Sequence, residues 1–358
     1  MSWPLTLMVG ALVVVIIAGI CAVCWVFKPP PPMTFYGPWH TSTQKTRPTT
    51  GKTTTSTSTN ASAGQRGIVM AAGGVYTPLA LKSLAVLRKL GCTLPATVVH
   101  ADADELPADS SWRTIGEELQ CTFIDATQAF KARFPALPVP NMRGYQLKPF
   151  AVLFADYAQT MLLDADTLFV RDPTSLFDDP LFRSTGALFW PDVVDDEWTR
   201  YLKPTFWNYV GVPTPPPGPQ HESSCVLLDR TRHAQSLGFV CDLNYTHNET
   251  YQLAHGDKDT WRAGCLKAGV PFSLVPVAPG ALISRDSKKN FVQHDPRGEP
   301  LYVQGEDLRI KNMVFDGFVR NASVHISENE RAARGRPAGA IPDSVVNALS
   351  LAHTLSFH

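Results

Sequence analysis

The sequence predicts an α/β fold, a mainly parallel sheet flanked by helices, standing behind one N-terminal membrane-spanning helix. Three observations carry that expectation. Apolar runs of strand length alternate with segments of helical periodicity over most of the chain, the pattern of a parallel sheet covered on both faces. The 358 residues are 44% hydrophobic and 18% charged, enough to bury one large core. Leu5 to Phe27 is apolar and free of charge, and 23 helical residues rise about 34 Å, the reach of a bilayer core. Lys plus Arg equals Asp plus Glu at 32 each, which argues against attachment to nucleic acid by bulk charge and against a disordered chain.

In order along the chain, residues 1–4 form a short tail and 5–27 the membrane anchor; a cleaved signal is the alternative reading of that run. Residues 28–65 read as an extended stalk, because 14 of the 22 residues in 41–62 are Ser or Thr and cannot bury enough apolar area to offset ordering. The folded domain is expected over 66–330. Gly67 to Gly74 reads as a buried strand closing in a glycine turn, and Pro78 to Leu90 as a helix with apolar positions at Leu81, Leu84, Ala85, Leu87 and Leu90. A strand follows at 96–100, a helix at 111–120 and a strand at 121–124. A helix at 145–156 leads to strands at 160–163 and 168–170. Later strands are expected at 186–190, 225–228 and 272–275, with a proline-rich loop at 212–219. Residues 331–358 read as a tail in which 344–355 has the pattern of one short helix.

Topology is pulled two ways. Lys28, Lys45 and Arg47 follow the span, which by charge places the domain in the cytoplasm. Four Asn-x-Ser/Thr sequons (Asn60, Asn244, Asn248, Asn321) and the Ser/Thr-rich stalk place it in the lumen of the secretory pathway, the side taken here. Cys21 and Cys24 lie within the apolar span. The other five cysteines form no CxxC pair, and Cys92 with Cys121 is the expected disulfide.

The strongest chemical signal is Leu163-Asp164-Ala-Asp166-Thr, two carboxylates one residue apart after an apolar strand and before a second one. At a strand end both can converge on a hard cation, and carboxylate oxygens suit Mn²⁺ or Mg²⁺. Open sheets bind ligands at the carboxyl ends of their strands, and a diphosphate leaving group needs its charge neutralised there. Asp102-Ala-Asp104, with Glu105-Leu-Pro after it and no second strand, reads as surface. Gly73-Gly74 lacks the residues of a phosphate-binding loop, but at the end of the first strand it lets a nucleotide approach the backbone. Ala71, Gly73 and Tyr76 are assigned to that nucleotide.

Jointly, several stretches resemble the fungal-type α-mannosyltransferases of glycosyltransferase family 71, Golgi type II membrane enzymes. They are Gly67–Gly74 with Arg88–Pro95, Leu147-Lys-Pro-Phe150, Leu163–Thr167 with Val170–Pro173, Gly186–Asp192, Glu222–Arg230 and Gly256–Trp261. The resemblance implies a GT-A fold, a GDP-mannose donor, a divalent metal, and transfer with retained configuration to a mannose-bearing glycan. By that resemblance Asp164 and Asp166 bind the metal, Lys148 meets the diphosphate, and Glu222, Asp257 and Asp259 touch donor or acceptor, with Lys258 balancing the two aspartates. The ordinary alternatives are a helix-surface lysine, a buried ion-pair partner and two helix caps.

This chain departs from the family pattern in two places. The pattern is similar to Glu-Ser-Gly-Gln where Glu222-Ser-Ser-Cys225 stands. A histidine is expected after Asp-Pro-x-Gly-x-Pro-Leu-Phe, where Asp295–Val303 ends in Tyr302-Val and Gln304 follows. Gln304 or His294 then becomes the third metal ligand. Two other readings stay open: a transferase using a UDP-sugar, and a catalytically silent glycan-binding membrane protein. Of Trp190, Trp198, Trp207 and Trp261, at most one is expected to stack on a sugar ring.

Overall fold

The computed structural model describes residues 65–192, 202–212, 215, 218–283, 289–305, 323–325 and 343–355. The expected anchor at 5–27, nearly all of the stalk, Trp198, and the sequons at Asn60 and Asn321 lie outside them. Among the described residues no helix is long and apolar enough to cross a membrane.

The chain opens with β1 (Arg66–Ala71), a 3₁₀ turn at Gly74–Tyr76 and α1 (Thr77–Lys89). Pro78 pre-sets the first turn of α1, and Arg88 and Lys89 face its negative end. Then come β2 (Ala96–His100), α2 (Ser111–Glu118), β3 (Cys121–Asp125), α3 (Ala126–Arg133) and α4 (Leu147–Phe154). β4 (Gln159–Leu163), β5 (Leu168–Phe169), α5 (Pro180–Thr185), β6 (Ala187–Pro191) and α6 (Thr205–Val210) follow. β7 (His221–Asp229) leads to α7 (Ala234–Tyr245), α8 (His247–Thr250) and α9 (Lys258–Ala268). The last described elements are β8 (Ser273–Leu274), β9 (Gly280–Ile283), β10 (Lys289–His294), β11 (Pro300–Gly305), β12 (Ser323–His325) and α10 (Asp343–Thr354).

A seven-stranded sheet has the order β3-β2-β1-β4-β7-β6-β8. The pairs among β3, β2, β1 and β4, and the pair β6–β8, are parallel, as the alternating pattern predicts. The sheet is mainly parallel as expected, and β7 is the exception, running antiparallel to both β4 and β6. A second, antiparallel sheet in the order β12-β9-β10-β11-β5 was not expected, although its edge strand β5 was. Alternate residues of the central strands enter opposite cores. Val69, Leu162 and Val226 pack with Phe150, Val240 and Trp261 on one face. Ile68, Met70, Met161 and Leu227 pack with Leu84, Leu87 and Phe177 on the other. A sheet buried on both faces needs apolar residues at every position, which is why these strands read as continuous apolar runs.

Two expectations about single residues fail. Cys92 and Cys121 are both buried free thiols. The Cys92 sulfur lies 3.7 Å from Thr174 Oγ1, and the Cys121 thiol donates to the Thr122 carbonyl at 3.3 Å. Asn244 is a core residue rather than a glycan acceptor: its fully buried amide donates to the Val240 carbonyl and to Thr260 Oγ1. Asn248 is exposed.

Candidate active site

Parallel β1 and β4 end side by side, with Met70 opposite Leu163, so the chain leaves both strands at the same edge of the sheet. After β4 the chain turns sharply. The Asp164 amide donates to the Ser224 carbonyl (2.9 Å), the Thr167 amide donates to the Asp164 carbonyl (3.1 Å), and Ser83 of α1 donates to the Ala165 carbonyl (2.9 Å). Because β7 is antiparallel to β4, its first residues, His221 to Ser224, run alongside this turn. Both carboxylates of the Asp-Ala-Asp run are therefore held at one sheet edge. Asp166 is 8% exposed.

Lys148 supplies the cation. It lies on α4, which is apolar except at this residue, and it is buried. Its Nζ is 2.6 Å from Asp164 Oδ1 and 3.4 Å from Asp257 Oδ1, and it donates to Ser223 Oγ at 3.2 Å. Burial alone would lower its pKa. The carboxylates of Asp164 and Asp257 outweigh that, and the net direction is up, so the ammonium stays charged. Burial pushes Asp164 up to about 6, against the pull of Lys148, with Asp166 and Asp257 adding to the rise. The helix-surface reading of Lys148 is excluded by this burial.

Asp257 sits at the N-cap of α9, yet its side chain caps nothing. Oδ2 accepts from Trp261 Nε1 at 2.8 Å and Oδ1 from Ser223 Oγ at 3.2 Å. Two buried donors and a buried ammonium hold it, and the cap reading fails. Lys258 does not balance Asp257 as expected. It pairs with Asp192 and donates to Gln220 Oε1 at 3.0 Å. Asp259, in the first turn of α9 and 3% exposed, is pushed up to about 7 by burial, partly offset by Lys258.

Glu222 is buried on β7 and is held by hydroxyls, not by a cation. Tyr302 Oη and Ser224 Oγ donate to Oε1 at 2.6 and 2.5 Å, and the Ser224 amide donates to Oε2 at 2.6 Å. Burial raises its pKa to about 7 despite these donors. Beside it His221 stacks on Phe189 with centroids 4.9 Å apart, and burial drives its pKa down to about 3.

The nucleotide-side assignments lie at the end of β1. Ala71 is half-buried, Gly73 buried and Tyr76 51% exposed. A Cβ on Gly73 would stand 2.0 Å from Glu105 Oε2, so any larger residue there would push the Glu105 side chain aside. Glu105, read with its neighbours as surface, is instead half-buried and accepts from the Ala101 amide at 2.8 Å, while Ser223 and Tyr302 were not singled out as site residues. Asp102 and Asp104 are surface residues as expected, paired with Arg143 at 2.7 and 3.5 Å.

His294 and Gln304 belong to the second sheet. His294 ends β10, its carbonyl accepts from Trp190 Nε1 at 2.8 Å, and its ring lies beside Gly280 of β9. Gln304 pairs with Phe291 in the ladder. Among the described residues no three His, Cys, Asp or Glu side chains form a cluster able to hold a metal, so Asp164, Asp166 and His294 are not gathered as a ligand set. Trp190 and Trp261 are fully buried core residues with their N–H groups satisfied inside the protein, and Trp207 is half-buried against Arg262.

Comparison with known proteins gives a consistent result. Residues 65–215 and 212–300 match the family described as "Mannosyltransferase putative". The α-1,2-mannosyltransferase MNN21 of Candida albicans is 30% identical over 158 residues, covering 41% of this chain and 22% of that protein. MNN24 of the same organism, also an α-1,2-mannosyltransferase, is 25% identical over 251 residues, covering 58% and 34%. MNN5 of Saccharomyces cerevisiae is 30% identical over 155 residues, covering 41% and 24%. The chain thus spans less than half the length of these relatives. Among solved structures, the galactosyltransferase LgtC with donor and acceptor sugar analogues aligns at 16% identity and a TM-score of 0.39, covering 58% of this chain and 73% of LgtC, too distant a likeness to carry an argument. The family match spans most of the folded domain, including Lys148, Asp164, Asp166, Glu222 and Asp257, and the chain belongs to this mannosyltransferase family.

Proposed function

We propose that the protein is a retaining α-mannosyltransferase of GT-A architecture that transfers mannose from GDP-mannose to a mannose-bearing glycan. The observation that carries this reading is the buried Lys148–Asp164–Asp257 cluster at the common carboxyl edge of β1 and β4. A sugar nucleotide presents a diphosphate that must leave with its charge neutralised. A lysine whose charge is fixed by two buried carboxylates is suited to meet it. Asp164 and Asp166 are hard oxygen donors one residue apart, which suits Mn²⁺ or Mg²⁺. Were a metal bound, Asp164 and Asp166 would hold it from the protein side, leaving positions that diphosphate oxygens would fill. The metal, when bound, would supply Lewis-acid neutralisation of the diphosphate. Ala71, Gly73 and Tyr76 line the nucleotide's approach. Glu222, Asp257 and Asp259 face the transferred sugar or its acceptor.

The test is nucleotide release by the purified chain from GDP-mannose and from a panel of UDP-sugars, with and without Mn²⁺. Metal-dependent GDP release that falls at least about a hundredfold in Asp166→Ala is expected. Release from a UDP-sugar alone would replace the donor. Release from none would overturn the transferase reading.

The proposed location is the Golgi membrane, single-pass and type II, with residues 5–27 spanning and the domain lumenal. Asn248 is the exposed sequon of the described fold. Endoglycosidase treatment of the secretory-pathway product is expected to shift its gel mobility, and Asn248→Gln to reduce that shift. An unshifted band would place the domain on the other side of the membrane.

A further inference from the structure

Exposed large hydrophobic side chains are few among the described residues, namely Val75, Tyr76 and Tyr145. Tyr76 and Val75 stand at the end of β1. Tyr145 is different, because it touches both segments that build the charged cluster. It lies three residues before Lys148, and its carbonyl accepts from the Lys148 amide at 3.1 Å. The Lys148 ammonium lies over its ring, 5.8 Å from the centroid. The ring is also seated on Gly256, the residue before Asp257. A Cβ at Gly256 would stand 3.0 Å from Tyr145 Cδ2, and Gly256 has φ +69°, a conformation that favours glycine. The His255 ring lies 6.1 Å away. The tyrosine is therefore held in place on the protein side while about half of it, 49%, stays exposed.

We infer that Tyr145 is the acceptor-sugar platform of this site, stacking on the apolar face of the incoming glycan's terminal hexose. This rests on the glycosyltransferase reading above. A half-exposed tyrosine fixed beside a polar site offers its ring to a hexose, which presents an apolar C–H face that fits it. The choice of acceptor over donor follows from position. The diphosphate and the sugar it carries need the buried ammonium and carboxylates of the floor. Tyr145 stands at the rim, where a large glycan arrives from solvent. Fixing the ring on Gly256 and beside Lys148 in advance removes part of the ordering cost of binding.

The experiment uses the purified full-length chain, titrated with methyl α-mannoside and with an α-linked mannose oligosaccharide. Sugar binding is read by saturation-transfer NMR, GDP binding by calorimetry, and transfer by GDP release. Tyr145→Ala is expected to weaken sugar binding and raise the sugar KM about tenfold, a change larger than any in GDP affinity or in sugar-independent GDP release. Tyr145→Phe and Tyr145→Trp are expected to retain sugar binding, because the ring face is what matters. Tyr145→Leu keeps the bulk without the ring and is expected to behave as the alanine variant, which separates stacking from a folding defect. Equal sugar binding by Tyr145→Leu and wild type would overturn the inference, as would a loss of GDP affinity as large as the loss of sugar affinity. If wild type releases nucleotide from no donor, the transferase reading fails, and the sugar titration still decides: ring-dependent binding supports the platform, and ring-independent or absent binding overturns it.

Discussion

Glu222 is held by residues that the sequence keeps far apart. The hydroxyls of Ser224 and Tyr302 both donate to its Oε1. Neither partner is interpretable alone, since the two lie 78 residues apart in sequence. Burial raises the Glu222 pKa to about 7, and the hydroxyls work against that rise by favouring the ionised form. With a folded pKa above the unfolded one, the native state holds more protons than the unfolded chain between about pH 4.5 and 7. This group's contribution to stability is therefore fully present below that window and is lost as pH rises through it. Glu222→Gln is expected to flatten the decline, and Tyr302→Phe, which removes a donor to the carboxylate, to extend it to higher pH. Urea denaturation across pH 4 to 9 reads both; parallel curves for all three proteins would contradict the assignment. Lys148 obeys different arithmetic. Lys148→Met leaves the Asp164 and Asp257 carboxylates buried without their ammonium, and removing one partner of such a pair costs about 3 to 5 kcal/mol. The same denaturation measurement checks it, and a cost below about 1 kcal/mol would mean that solvent already screens the cluster.

At the scale of elements, β1 to β4 with α1 and α2 were legible in the sequence because each is a local apolar pattern closed by its own turn residue, such as Pro78 at the start of α1. The direction of β7 was not legible. An apolar run reads the same in either orientation, and only its neighbours β4 and β6 fix it as antiparallel. The second sheet was hidden for another reason. β10, Lys289–His294, mixes polar and apolar residues so evenly that no one face stands out, and its ladder to β11 slips between Gln293 and His294. The site divides along the same line. Asp164 and Asp166 announce themselves by spacing beside a strand. The partners of Lys148 depend on where α9 and β7 arrive in space, and Trp190 and Trp261, nominated for sugar, proved to be core while Tyr145 went unnoticed. The turn before α9 carries its own prediction. Gly256 has φ +69° with the Tyr145 ring at its Cβ position. Gly256→Ala is expected to cost about 1 kcal/mol or more and to displace the ring, lowering Tm and raising the sugar KM together. An unchanged KM in a folded Gly256→Ala protein would separate the turn from the site.

At the scale of the whole molecule, α10 joins the C-terminal region to the site. The sequence presents this region as a tail with one short helix. The structure packs that helix, through Val345, Ala348, Leu349 and Ala352, against Val86 of α1, Leu168 of β5, and Val292 and Val303 of the second sheet. It thus packs between α1 and the second sheet. Ala352 also borders the same small cavity as Ser83, Ala165 and Asp166. α1 in turn fixes the Asp-Ala-Asp turn through Ser83, so α10 braces the helix that braces the turn. Leu349 is fully buried, and Leu349→Ala is expected to cost about 2 to 5 kcal/mol from lost burial and the cavity left behind. Deleting residues 343–358 uncovers four apolar contacts at once and should lower Tm further, expose surface that binds a hydrophobic dye, and reduce turnover in the fraction that stays folded. The comparison between the two variants is informative. If Leu349→Ala lowers Tm while the folded protein turns over normally, α10 stabilises the domain without positioning Asp166. If turnover falls at temperatures well below the melt, the brace reaches the carboxylates.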